Sequence, residues 1–135
     1  MKFLEDMELE DQKYNLMSKN ESYISQLLQS LSIPFYTEYS PPDLYGLHGT
    51  PYRFDFAIIS PFNDIAYFIE VDGEQHFTPI SHFGGEQSYL STRYRDSRKD
   101  TYCREHNIPL IRIPYSAIPN LTPTDVILKS QYRIF

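Results

Sequence analysis

Three carboxylates recur at strand-like spacing in the middle of the chain. Asp55 lies in Arg53-Phe-Asp55-Phe, and Glu70 and Asp72 lie in Phe68-Ile-Glu70-Val-Asp72-Gly-Glu-Gln75-His76-Phe. Side chains alternate along a strand, so Glu70 and Asp72 share a face. A turn of about five residues separates the two stretches, which predicts antiparallel neighbours with Asp55 beside Glu70. Ala57 and Phe68 belong to the same alternation classes, and carboxylates among such residues are costly to bury without compensation. A hard divalent cation supplies that compensation: Mg²⁺ prefers oxygen ligands, keeps several waters and needs only two or three carboxylates. Water on such an ion is a stronger acid, and the ion stabilises charge on a phosphodiester oxygen. The plainer reading is a set of acids at strand ends, solvated or paired with Arg53 and Arg112.

Other residues extend this constellation. Glu21, Ile24, Leu28 and Leu31 fall on one helical stripe, so Glu21 would point towards the sheet as a fourth carboxylate, or else only complete the capping box of Ser18-Lys-Asn-Glu21. Gln75 and His76 follow the Gly73 turn, and an imidazole of ordinary pKa suits proton transfer near neutrality. His48, His82 and His106 match no metal-ligand spacing. Arg95 and Lys99 are four apart and share a helix face, which is either solvated or reaches a scissile phosphate. Arg93, Arg95, Arg98, Lys99 and Arg104 lie within twelve positions.

The elements that must position these groups follow from periodicity and punctuation. A helix is predicted over 19–31, stopped by Pro34, and then a short strand over 35–39. Strands over 52–59 and 65–72 are apolar on both sides, which implies a sheet covered on both faces. A loop over 77–87 precedes a long basic helix over 88–106, with Tyr94, Thr101 and Tyr102 as its weak inner stripe and Asn107 as its C-terminal signal. Pro109 to Ile113 reads as a buried strand. Thr122-Pro-Thr-Asp125 reads as the start of a last helix over 123–131. The order predicts an α/β fold around one mixed sheet.

Composition sets the outer bounds. A chain of 135 residues fits one domain, and 41% hydrophobic with 22% charged residues is an ordinary globular balance. No apolar run reaches the roughly 18 residues of a membrane span, so no membrane partner is expected. The acidic N-terminal stretch lacks an apolar h-region, so no secretory signal is expected, and the single cysteine, Cys103, points to a reducing, cytoplasmic setting. A net charge of −6 argues against a nucleic-acid partner, but residues 1–13 carry half of it and the bases are clustered. The twelve Tyr and nine Phe read first as core rings, and more sharply as base-stacking platforms.

Taken in order, Ser18-Lys-Asn-Glu21, Arg53-Phe-Asp55-Phe, Glu70-Val-Asp72-Gly-Glu-Gln75-His76, Phe83-Gly-Gly-Glu86, Arg95-Asp96 with Lys99, and the run from Tyr102 to Tyr115 resemble the PD-(D/E)xK nuclease superfamily. The likeness spans about residues 18–115. It is nearest to the phage- and mobile-element-associated branch with an E-x-D-G-x-Q-H signature, and it is similar to very-short-patch-repair and related homing endonucleases. It implies an acidic lead-in over 1–17 and a restriction-endonuclease-like domain over 18–135, with a central mixed sheet flanked by helices. It implies a DNA endonuclease dependent on Mg²⁺ or Mn²⁺, held by Asp55, Glu70 and the Val71 carbonyl. The superfamily lysine would fall at position 72, where this chain has Asp72. Gln75 and His76, or a displaced Lys99, are the substitutes: His76 as base, Lys99 as charge stabiliser, Asp72 orienting His76 or a water. Arg53, Arg95, Arg98 and Lys99 would contact DNA. No sequence-reading module is present, so the chain would nick non-specifically, recognise a DNA structure, or rely on a homodimer or a partner protein for targeting, and the setting would be a phage product acting in a bacterial host. Two other readings stand beside it: a catalytically inactive protein of this fold that binds nucleic acid or protein, and an RNA-cleaving nuclease.

Overall fold

Residues 19–73 and 85–134 are described by a computed structural model. The acidic lead-in, Gln75, His76 and residues 77–84 of the expected loop lie outside them, and residues 85–87 of that loop are the first turn of a helix.

Helix α1 (Lys19–Ser30) buries Ile24 and Leu28, four residues apart on one stripe. It closes with Ser32 at φ 56°, where the Ile33 amide donates to the Leu28 carbonyl at 3.1 Å and the Ser32 amide to that of Gln29 at 3.0 Å. This is the left-handed C-cap that satisfies the last carbonyls, and Pro34 directs the chain onward. Strands β1 (Phe35–Tyr39), β2 (Phe54–Ile59), β3 (Ile65–Asp72), β4 (Leu110–Pro114) and β5 (Arg133–Ile134) form one mixed sheet in the order β1-β2-β3-β4-β5. Only β3 and β4 run parallel. Their connection carries helix α2 (Gly85–Glu105), as a parallel pair requires a crossover. α2 ends in the same device as α1, with Asn107 at φ 54° and the Ile108 amide on the Cys103 carbonyl at 2.9 Å.

The hairpin between β2 and β3 fixes the register on which the site depends. The Ser60 amide donates to the Asp64 carbonyl at 2.8 Å, and Asn63 takes φ 66°. Phe56 then pairs with Ile69 and Ala57 with Phe68. On one side of the sheet α1 packs Ile24 and Leu28 on Phe56, Ile58, Ile69 and Ile111. A second cluster joins Phe54, Ala57, Phe68 and Leu110 to Leu44 and to Cys103 of α2, with the Phe54 and Phe68 rings stacked at 3.8 Å.

Two expectations are corrected. The last helix over 123–131 is a single 3₁₀ turn (Pro123–Val126), preceded by another (Tyr115–Asn120) and followed by the edge strand β5. The capping contact is present, with Asp125 Oδ2 accepting from the Thr122 amide at 2.8 Å. The turn does not propagate because the buried Tyr67 hydroxyl donates to the Val126 carbonyl at 2.8 Å and Ile127 is already extended. The expected inner stripe of α2 holds in part: Tyr102 packs against the second cluster and Thr101 is half-buried, but Tyr94 is not on that side. Thr92, Lys99 and Cys103 are its buried residues, and Tyr94 is exposed. No helix among the described residues is long and apolar enough to cross a membrane.

Candidate active site

The site grows from the ends of β2 and β3. One step beyond the Phe56–Ile69 pair, the Asp55 amide donates to Glu70 Oε1 at 2.8 Å and the Val71 amide donates to Asp55 Oδ2 at 2.8 Å. Each carboxylate therefore replaces a ladder bond at the rim of the sheet, and the two side chains are held by backbone rather than by rotamer preference alone. Glu70 Oε2 accepts from the Lys99 ammonium at 2.9 Å, and both groups are buried. The same ammonium lies 5.5 Å from the centre of the Phe54 ring.

On the other side of Asp55 stand Glu21 from α1 and Glu38 from β1. One carboxylate oxygen from each of Glu21, Glu38 and Asp55 lies within 4.8 Å of the others. Glu38 takes φ 53° between two residues that pair regularly with β2, which turns it out of the strand alternation. Sequence reading placed Glu21 here and missed Glu38. The strand register of the structure places it: Thr37 and Tyr39 pair with Phe56 and Phe54, which puts residue 38 across from Asp55.

The electrostatics of this group are those of an excess of negative charge. Glu21 is pushed up to about 7 by burial and by the neighbouring Glu38 carboxylate. Asp55 is pushed well above the usual carboxylate range by burial and by Glu70 and Glu21, although the Val71 amide opposes this. Three oxygen donors at this spacing suit a hard cation: ligands at about 2.0–2.6 Å stand at most about 4–5 Å apart across the ion. The donor set is all oxygen, which fits Mg²⁺ or Mn²⁺ and disfavours a soft metal.

Asp72 is placed on the face of Glu70, as the alternation requires, but its carboxylate meets Arg112 at 2.8 Å. Arg112 is buried in β4 and also bonds Asp100 of α2 at 3.0 Å and reaches Asp96 Oδ1 at 3.5 Å. Asp72 thus sits in an ion-pair network that joins two strands to α2, which is the plainer of the two readings for this residue. Arg95 is exposed with its guanidinium 5.9 Å over the Tyr52 ring, Arg98 is exposed with Nη2 on the Tyr45 carbonyl at 3.4 Å, and Arg53 pairs loosely with Glu38 at 3.5 Å. Gln75 and His76 lie outside the described residues. Cys103, buried behind the site, has its thiol pushed up to about 12 by burial, so it is no nucleophile near neutral pH.

These groups surround an open cleft of about 430 Å³, lined by Glu21, Glu38, Asp55, Glu70 and Lys99 on its floor side and by Thr50 to Arg53 with Arg95 on its wall. Such an arrangement can bind a cation and present an ammonium and guanidinium groups to an anion beside it.

No family model matches the chain. No solved structure matches it either. Over 49 residues, 36% of the chain, it is 35% identical to a protein of Invertebrate iridescent virus 6 described as uncharacterized protein 307L. The aligned stretch spans 25% of that viral protein's length.

Proposed function

We propose that the chain is a divalent-metal-dependent endonuclease that hydrolyses DNA phosphodiester bonds. The observation that carries this reading is the junction at Asp55, where a three-carboxylate cluster meets the buried Lys99–Glu70 pair at the floor of a cleft with an arginine wall. Asp55, Glu21 and Glu38 would hold the cation. When bound, Mg²⁺ or Mn²⁺ supplies a water of lowered pKa and charge stabilisation at a phosphate oxygen. Glu70, expected as a direct ligand, has both oxygens engaged: it fixes the Asp55 amide and holds the Lys99 ammonium at the cleft. Lys99 stabilises charge developing on the scissile phosphate, and an ammonium pre-set by a buried partner needs no reorganisation to do so. Arg53 and Arg95 hold the flanking phosphates. His76 is assigned as the base that accepts the proton of the attacking water, on sequence position alone. Whether the chain works as a homodimer or with a targeting partner, and whether it acts for a phage inside a host cell, belongs to the same reading.

The test is supercoiled plasmid incubated with Mg²⁺ or Mn²⁺, with EDTA as control. Nicked or linear product that requires the metal and vanishes in Asp55→Asn supports the reading. Intact plasmid under every condition, with no Mn²⁺ binding by calorimetry, favours a non-catalytic protein of this fold. Cleavage of labelled RNA alone would move the substrate class.

A further inference from the structure

The segment between β1 and β2 is a built structure rather than a slack connection. Pro41 and Leu44 are buried. The Gly46 amide donates to the Thr50 carbonyl at 2.8 Å, the Tyr52 amide to that of Leu44 at 3.2 Å, and Tyr45 pairs antiparallel with Pro51. Gly49 turns the tip at φ 75°. Gly46 lies so close to the Tyr52 ring that a Cβ there would stand 2.3 Å from the hydroxyl oxygen, which fixes the ring against the backbone. The segment's own acid, Asp43, is engaged by His106 at 3.0 Å.

This small hairpin projects two apolar side chains: Tyr45 is 45% exposed and Leu47 76%. Its returning limb, Thr50 to Arg53, lines the cleft together with Arg95, and α2 braces the hairpin through Arg98 on the Tyr45 carbonyl and Arg95 over the Tyr52 ring. Single exposed apolar residues are ordinary on a surface, so the weight here falls on two of them held together on one rigid hairpin with guanidinium groups at its base. Guanidinium groups beside it select an anionic partner, and the two together match a polymer with phosphates and free base faces. Charge decides between one strand and two. The chain carries −6 overall, and the lip offers few bases. A duplex presents a charge about every 1.7 Å, whereas a single strand presents about one every 3.4 Å with its bases accessible.

We infer that this lip is a platform for unpaired DNA, with Tyr45 and Leu47 against splayed bases and Arg95 and Arg98 on the flanking phosphates. The identity of the polymer rests on the nuclease reading; the preference for unpaired bases rests on the lip. The experiment is fluorescence anisotropy of the full chain in EDTA with one labelled oligodeoxynucleotide offered as single strand, as splayed fork and as blunt duplex. Single strand and fork should bind about tenfold tighter than duplex, since one stacked base accounts for that much. The Tyr45→Ala–Leu47→Ala double variant should lose the preference, Tyr45→Phe should keep it, and Arg95→Ala should weaken all three probes with a salt slope smaller by about 0.7 on the single strand and about 0.9 on the duplex. Circular dichroism melting of each variant separates loss of binding from loss of fold. Duplex bound as tightly as single strand, a preference that survives the double variant, or RNA of the same sequence bound more tightly than DNA overturns the inference. Plasmid cleavage is scored separately: cleavage without the preference retires the platform, and the preference without cleavage retires the nuclease.

Discussion

Glu70 has both carboxylate oxygens engaged, one by the Asp55 amide and one by Lys99, and this changes what a mutation there reports. Glu70→Ala removes a candidate catalytic group and also leaves a buried ammonium unpaired, so inactivity in that variant mixes chemistry with stability. Lys99→Met has the mirror defect and should lower stability by about 3–5 kcal/mol, the usual penalty for orphaning one member of a buried pair. The double variant Glu70→Gln–Lys99→Met should regain much of that in urea denaturation while both forms stay inactive on plasmid. Equal stability of the Lys99 single variant and the double variant would show that the pair is not coupled. Asp55 offers a cleaner probe. Asp55→Asn keeps an acceptor for the Val71 amide but removes a charge that Glu70 and Glu21 repel. It should abolish metal-dependent cleavage with the melting temperature at neutral pH equal to or above that of the parent, whereas Asp55→Ala should lose both.

At the scale of elements, α2 explains which parts of the molecule were legible in the sequence. Ile24 and Leu28 of the α1 stripe, the paired strands and the cap at Asn107 rest on apolar spacing and turn chemistry, and they appear where that chemistry puts them, while Leu31 at the end of the stripe is exposed. The inner side of α2 does not, because Thr92, Lys99 and Cys103 are buried there while Asp96 and Asp100 turn to Arg112. A helix docked by ion pairs shows no apolar period, so periodicity found Tyr102 but misplaced Tyr94 and missed Thr92, Lys99 and Cys103. The same limit hid Glu38, whose placement follows from strand register and a left-handed backbone rather than from any local pattern. The run 123–131 had the right start signal and failed as a helix because Tyr67, distant in sequence, takes the Val126 carbonyl. Arg112 is the test of the docking argument. Its fork bridges Asp72 of β3 and Asp96 and Asp100 of α2. Arg112→Met should cost about 3–5 kcal/mol, and Arg112→Lys, which keeps charge but not the planar fork, should fall between that and the parent. Urea midpoints equal to the parent's in both variants would mean that α2 is held by its apolar contacts alone.

Two of the fold's acids, Glu21 and Asp55, work against its stability. Glu21 sits at about 7 and Asp55 well above the usual range, so the folded state holds protons that the unfolded chain releases near 4–4.5. Wherever the folded state binds more protons than the unfolded one, stability falls as pH rises. For Glu21 the loss begins above its unfolded pKa and is complete once pH has passed about 7. The metal-free melting temperature should therefore decline between about pH 5 and pH 7.5, more steeply in the parent than in Glu21→Gln. A divalent ion that binds only the folded state adds about 2.7 kcal/mol at a hundredfold excess over its dissociation constant, and its affinity rises as the ligands lose protons. Mn²⁺ should thus raise the melting temperature strongly at pH 7.5 and weakly at pH 5, with both effects reduced in Glu21→Gln and in Glu38→Gln. A melting temperature that rises with pH in the metal-free parent, or that ignores Mn²⁺ at pH 7.5, would mean that these carboxylates are not a cation site, and Lys99 beside Glu70 would then be an ordinary buried ion pair.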